Sequence, residues 1–171
     1  MNKKAAWSAV ILYTLLIYLT LPIMRPILNY LKGLFGEGFS IFVYIIFVCA
    51  GISLFCYIYI IEKINNIGTY IWLGAIAILY VFFIIPLNLP EERIHLLEYG
   101  ISGYLIYNAV SFNLEGALFY ITTLLIIFLI GFIDEGIQWI LPNRVFDLRD
   151  VWMNCIGGVL GVILTRTVIK R

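Results

Sequence analysis

Charge is scarce in this chain. Asp, Glu, Lys and Arg make up 12% of its 171 residues, cysteine occurs three times and histidine once. Soluble domains carry about 25% charged residues. Here 63% of residues are hydrophobic and the mean hydropathy is +1.03. So short a chain has too little interior to hide that much apolar surface from water, which excludes a soluble enzyme and leaves an integral membrane protein. The formal net charge is +1, with no basic run to follow a phosphate backbone, so no nucleic-acid partner is expected. Cys49, Cys56 and Cys155 form no C-x-x-C pair and lie in apolar stretches, which argues against a disulfide frame or a Cys-based zinc site. One histidine is too few for a His-based zinc site. There is no Ser-centred nucleophile motif or Gly-rich phosphate loop. Glu91-Glu92-Arg93 lacks the spacing of the Glu-Glu-x-x-x-Arg motif of membrane prenyl proteases. Neither a metal nor another cofactor is expected.

What the chain has is long apolar runs. A helical crossing needs roughly 20 mostly apolar residues. After Lys3-Lys4, one runs from about Ala5 to Met24, too long for a signal peptide and without a small-x-small cleavage site. It reads as an uncleaved first span that ends at Pro22, Arg25 and Pro26, with Gly33, Gly36 and Gly38 in a loop. Further spans are predicted at about Phe39–Ile61, Tyr70–Leu87, Glu91–Phe112, Ala117–Leu141 and Val151–Ile169. The expected fold class is all-α, a polytopic transmembrane helical bundle of about six spans, divided into an N-terminal pair (1–69) and a four-helix membrane domain (70–171). The chain is placed in the cell membrane among lipids. The Lys/Arg distribution is nearly balanced, but both termini are basic and the outer arginines have acidic neighbours, so both termini are predicted to be cytoplasmic. The twelve tyrosines and twelve phenylalanines fit an interfacial belt and a lipid-facing surface.

The polar residues are unevenly placed. With six spans, the starts of the fourth and sixth and the end of the fifth share one side of the membrane, whichever way the chain is oriented. Seven of the ten acidic residues gather there: Glu91, Glu92, Glu98, Asp134, Glu135, Asp147 and Asp150. Arg93, His95, Gln138, Arg144, Arg149 and Asn154 join them. Glu98, Asp134 and Glu135 fall one to two turns inside the apolar runs, where an ionisable side chain costs about 2.5–3.5 kcal/mol at mid-membrane and less near the interface. His95, Glu98, Tyr99 and Ser102 share one helix face by their i, i+3, i+4, i+7 spacing. Asp134 and Gln138 are i, i+4, and Asp147, Asp150 and Asn154 make a further stripe if the last helix starts early. Gly157 and Gly161 form a G-x-x-x-G that permits close helix approach.

The stretch Gly131-Phe132-Ile133-Asp134-Glu135-Gly136-Ile137-Gln138-Trp139, then Pro142-Asn143-Arg144 and Asp147-Leu148-Arg149-Asp150, then Asn154-Cys155-Ile156-Gly157-Gly158, resembles the VanZ-like family. So does Arg93-Ile94-His95-Leu96-Leu97-Glu98-Tyr99, although Glu92-Arg93 stands where that family commonly has Asp-Lys before the His. The resemblance covers roughly residues 70–168 and leaves out the first two spans. It implies a small multi-pass membrane protein of the cell envelope. The family's name-giving member confers low-level resistance to the glycopeptide teicoplanin.

Several functions fit these residues. The first is binding or modifying a lipid-linked envelope component or a glycopeptide at the outer face. Arg144 and Arg149 would contact the anion, Arg93 would assist, and Asp134, Glu135, Gln138, Asp147, Asp150 and Asn154 would shape the pocket. The second is a membrane-embedded enzyme using His95 as acid/base with Glu98 or Glu135 as partner. A variant of it holds a divalent ion on Asp134, Glu135, Asp147 and Asp150. In a structural reading, Arg93, Arg144 and Arg149 lock three helix ends by ion pairs. A channel is disfavoured because the charge lies at one face and not across the depth.

Overall fold

The computed structural model describes residues 2–36, 38–87, 89–142 and 144–169. Asn143, Lys170 and Arg171 lie outside them, as does the side chain of Glu91. The described residues form six α-helices and no strand: α1 (Lys3–Phe35), α2 (Gly38–Cys56), α3 (Ile67–Ile84), α4 (Pro90–Val110), α5 (Gly116–Ile140) and α6 (Leu148–Leu164). α2 and α6 each end in a wider π-helical turn, Tyr57–Ile61 and Thr165–Ile169. Five of the six are long and apolar enough to cross a membrane.

The exception, α4, has 21 residues, and at 1.5 Å per residue it also reaches across a core of about 30 Å. Its polar content follows from its place in the bundle. It packs on α1, α2, α5 and α6, so Arg93, Leu96, Tyr99, Ser102, Ile106 and Ala109 are covered by protein. A helix screened by its neighbours need not be apolar all round, whereas α2 and α3 carry isoleucine, valine and phenylalanine out to lipid.

α1 departs from the sequence expectation. It continues through Pro22 and Pro26 to Phe35, and Gly33 is helical. Each proline removes one helical donor and ordinarily ends or bends a helix. The helix nevertheless keeps the remaining backbone groups paired with one another. The continuation also has something to pack on, because Leu28 is buried with Phe39 and Val43 of α2. The helix gives way at Gly36, whose φ of +53° suits glycine, and α2 starts at Gly38.

α4 and α6 meet backbone to backbone. A Cβ on Gly161 would stand 2.0 Å from the Gly100 carbonyl oxygen, one on Gly103 2.1 Å from that of Gly158, and one on Gly157 2.6 Å from that of Leu96. Lipid tails are as apolar as leucine, so helices in a membrane gain little by hiding apolar side chains from lipid. Close van der Waals approach holds them together, and glycine allows it. The G-x-x-x-G read from the sequence is thus half of a two-sided glycine contact, with Gly100 and Gly103 as its counterpart.

Candidate functional site

The glycine contact brings the polar ends of three helices together. Asp134, Glu135 and Gln138 of α5 and Asn154 of α6 are each no more than 2% exposed, and Tyr99 of α4 is fully buried. Asp134 precedes the end of α5 by six residues, about 9 Å of helix. The exposed Trp139 and Trp152 suit the interfacial level above it.

Asp134 is the hub. Its Oδ2 accepts from the Tyr99 hydroxyl at 2.9 Å and from Asn154 Nδ2 at 3.5 Å, and its Oδ1 accepts from Gln138 Nε2 at 3.5 Å. Gln138 in turn accepts from the Arg144 guanidinium through Oε1, so a polar chain runs from the buried carboxylate to the α5–α6 loop. Gly131 makes room for it, since a Cβ there would come within 3.1 Å of Asn154 Cβ. Glu135 Oε2 accepts from the Asp147 backbone N–H at 3.2 Å. Asp147 is the N-cap of α6, accepting from the Arg149 N–H at 2.8 Å. It therefore caps the helix that carries Asp150 and Asn154 and is not itself part of the helical stripe.

On α4, His95 Nδ1 lies 3.1 Å from Glu98 Oε2. His95 is also within electrostatic reach of Asp134 and Asp150. Among the described residues, four buried polar atoms have no hydrogen-bond partner: His95 Nδ1, Ser102 Oγ, Glu135 Oε1 and Asn154 Oδ1. They belong to the three helices that meet here. A buried polar atom left without a partner costs about 1–3 kcal/mol, so their gathering on these three helices marks this part of the bundle as the candidate site. Among the described residues, no three His, Cys, Asp or Glu side chains converge to hold a metal ion, so Asp134, Glu135, Asp147 and Asp150 do not form a common oxygen cage.

The arginines take separate positions. Arg149 is exposed, and its NH1 stands 3.8 Å from Glu92 Oε1. Arg93 is buried and turned towards α2. Its Nε and NH2 donate to the Leu87 carbonyl at 3.1 and 2.7 Å, NH1 donates to Ser40 Oγ at 2.7 Å, and the group lies 4.4 Å over the Tyr44 ring. It joins the α3–α4 connection to α2. Arg93→Ala is expected to lower stability by about 2–3 kcal/mol, read as the midpoint of unfolding in micelles. Arg93→Lys should recover less than half, because an ammonium cannot fork between Leu87 and Ser40.

Tyrosines of α1 also reach this region, which sequence reasoning missed. Tyr18 donates to the Ile130 carbonyl at 2.8 Å, and Tyr13 donates to that of Glu98 at 3.2 Å. Assigning tyrosines to the interfacial belt overlooked their depth. Tyr13 falls near the middle of the first apolar run, where a phenol must find an acceptor within the protein.

The chain belongs to the VanZ/LLP1 family, which it matches over residues 4–170. The match takes in the first two spans, which the motifs of the last four helices had left out. No curated protein and no solved structure matches the chain.

Proposed function

We propose that this VanZ/LLP1 membrane protein binds the polar head of a lipid-linked envelope component, at the outer face of the cell membrane, with both termini cytoplasmic. Binding there would shield that component from a glycopeptide of the teicoplanin type. The observation that carries the reading is the set of buried polar atoms without hydrogen-bond partners on the three helices that meet at Asp134. Glu135 Oε1 and Asn154 Oδ1 accept, and Ser102 Oγ donates and accepts. Such a mixture suits the hydroxyl and amide groups of a sugar or peptide head. Arg144, held by Gln138, and Arg149 stand at the loop for its anionic linkage.

The chain is expressed in a glycopeptide-sensitive Gram-positive host to test this. The wild type is expected to raise the teicoplanin inhibitory concentration several-fold. Glu135→Gln and Asp150→Asn should return it to the vector level with unchanged amounts of protein in the membrane. Full resistance in both variants would overturn the binding reading. Sidedness is read separately. A cysteine replacing Asp147, in a background without Cys49, Cys56 and Cys155, should react with an impermeant thiol reagent from outside. Labelling from the cytoplasmic side alone would overturn the outer-face assignment.

The His95–Glu98 contact of 3.1 Å favours a second reading, in which the pair moves a proton in a modifying reaction. Mass spectra of the host's lipid-linked precursors separate the two. Binding leaves their masses unchanged, whereas modification adds or removes a group, and His95→Gln abolishes the change.

A further inference from the structure

On the same side of the bundle, an open cleft of about 590 Å³ separates α1 from the α5–α6 loop. Pro22, Arg25, Pro26 and Asn29 line it from α1, and Leu141 and Arg144 from the loop. It exists because α1 continues as a helix past its two prolines. A chain that turned at Pro22 would place neither Arg25 nor Asn29 opposite Arg144.

The lining is chemically selective. Among the described residues it contains two guanidinium groups and no carboxylate. One of the Arg144 nitrogens donates to Gln138, and a guanidinium has five N–H donors in a planar fork that suits phosphate oxygens. Pro22 and Pro26 have no N–H, so the carbonyls of Tyr18 and Pro22 lack their usual helical donors. They offer acceptors on the proline side of α1, next to the cationic walls. Leu141 and the proline rings supply an apolar floor, and the exposed Tyr30 and Trp139 suit the level of lipid headgroups. Its volume is within the range of small-molecule sites.

We propose that this cleft binds the phosphate of an anionic membrane lipid carrying hydroxyl groups, such as a phosphatidylglycerol, between Arg25 and Arg144. The inference rests on the amphiphile-head reading above and names the anionic linkage that site would take. It also gives α1, which contributes no acidic or histidine ligand, a role in recognition. The bound phosphate would be coupled to the buried site through Arg144, Gln138 and Asp134.

Native mass spectrometry of the full chain tests the proposal. The protein is released from micelles containing equal small mole fractions of phosphatidylglycerol and phosphatidylcholine. One phosphatidylglycerol per chain should be retained, at least tenfold in preference to phosphatidylcholine. Arg25→Gln and Arg144→Gln should each reduce its occupancy about tenfold, while Arg166→Ala, on the opposite side of the membrane, leaves it unchanged. Melting temperatures confirm that each variant is folded. Equal retention of the two lipids, or full occupancy in folded Arg25→Gln, would overturn the proposal. So would displacement of the lipid by inorganic phosphate at equal concentration, which would make the ligand a free anion. If Arg25→Gln retains the lipid and Glu135→Gln loses it, the cleft assignment fails and the buried site stands. The resistance assay judges that site independently of this one.

Discussion

Gly161→Ala should deprive the protein of most of its folded population, although it adds a single methyl group to a helix. The new Cβ would meet the Gly100 carbonyl oxygen at 2.0 Å, its carbon at 2.8 Å and its Cα at 3.1 Å. All three are backbone atoms, so no side chain can rotate aside, and α6 must separate from α4. Overpacking usually costs about 1–3 kcal/mol and occasionally more. With backbone against backbone, the expected loss lies at or above the upper end, about 3 kcal/mol against a typical total of about 5–15 kcal/mol. Gly103→Ala should behave alike, with 2.1 Å to the Gly158 oxygen. Gly74→Ala is the control, because nothing lies within 4 Å of its Cβ. It should be neutral or gain up to about 1 kcal/mol from helix propensity. Yield from the membrane and thermal unfolding in micelles measure all three. A melting temperature of Gly161→Ala within two degrees of wild type, as an approximate threshold, would mean that α4 and α6 do not touch this closely.

Asp134→Ala should cost about 3–5 kcal/mol, because it removes the common acceptor of Tyr99, Gln138 and Asn154 and leaves buried donors without partners. Tyr99→Phe takes away one donor and keeps the ring, so a loss of about 1–2 kcal/mol is expected. The informative quantity is their coupling. If the 2.9 Å bond holds in the folded protein, the double variant should fall short of the sum of the single losses by about 1 kcal/mol or more. Denaturant unfolding in micelles supplies the four stabilities. A coupling of zero would mean that Tyr99 and Asp134 do not interact. Asn154→Leu offers a further comparison. It removes the Asn154 amide from Asp134 and deletes one unpartnered acceptor, so its effect on ligand binding should exceed its effect on stability.

Much of the fold can be read from local properties. Apolar run length sets the number of spans, and Asn66, Pro90 and Asp147 mark the starts of α3, α4 and α6 within a few residues. The first span was misread because proline was judged by its local cost. The α2 contact at Leu28 offsets that cost. At the site, the i, i+4 spacing of Asp134 and Gln138 predicts their hydrogen bond. It says nothing of Tyr99, which approaches from another helix, or of Arg93, which turns to the Leu87 carbonyl.

The sequence by itself therefore determined the solvent, the number of helices and which polar residues share a face. Composition requires a bilayer, run length fits six spans, and seven acidic residues must share one face because alternate spans reverse direction. Only the tertiary structure decided which polar groups meet. Helix period places a residue on a face within one helix. The distance between faces depends on how closely the backbones approach, and here that is governed by Gly100 and Gly103 against Gly157, Gly158 and Gly161. That approach joins Tyr99 and Asn154 to Asp134, and the continuation of α1 past Pro26 places Arg25 opposite Arg144 across the cleft.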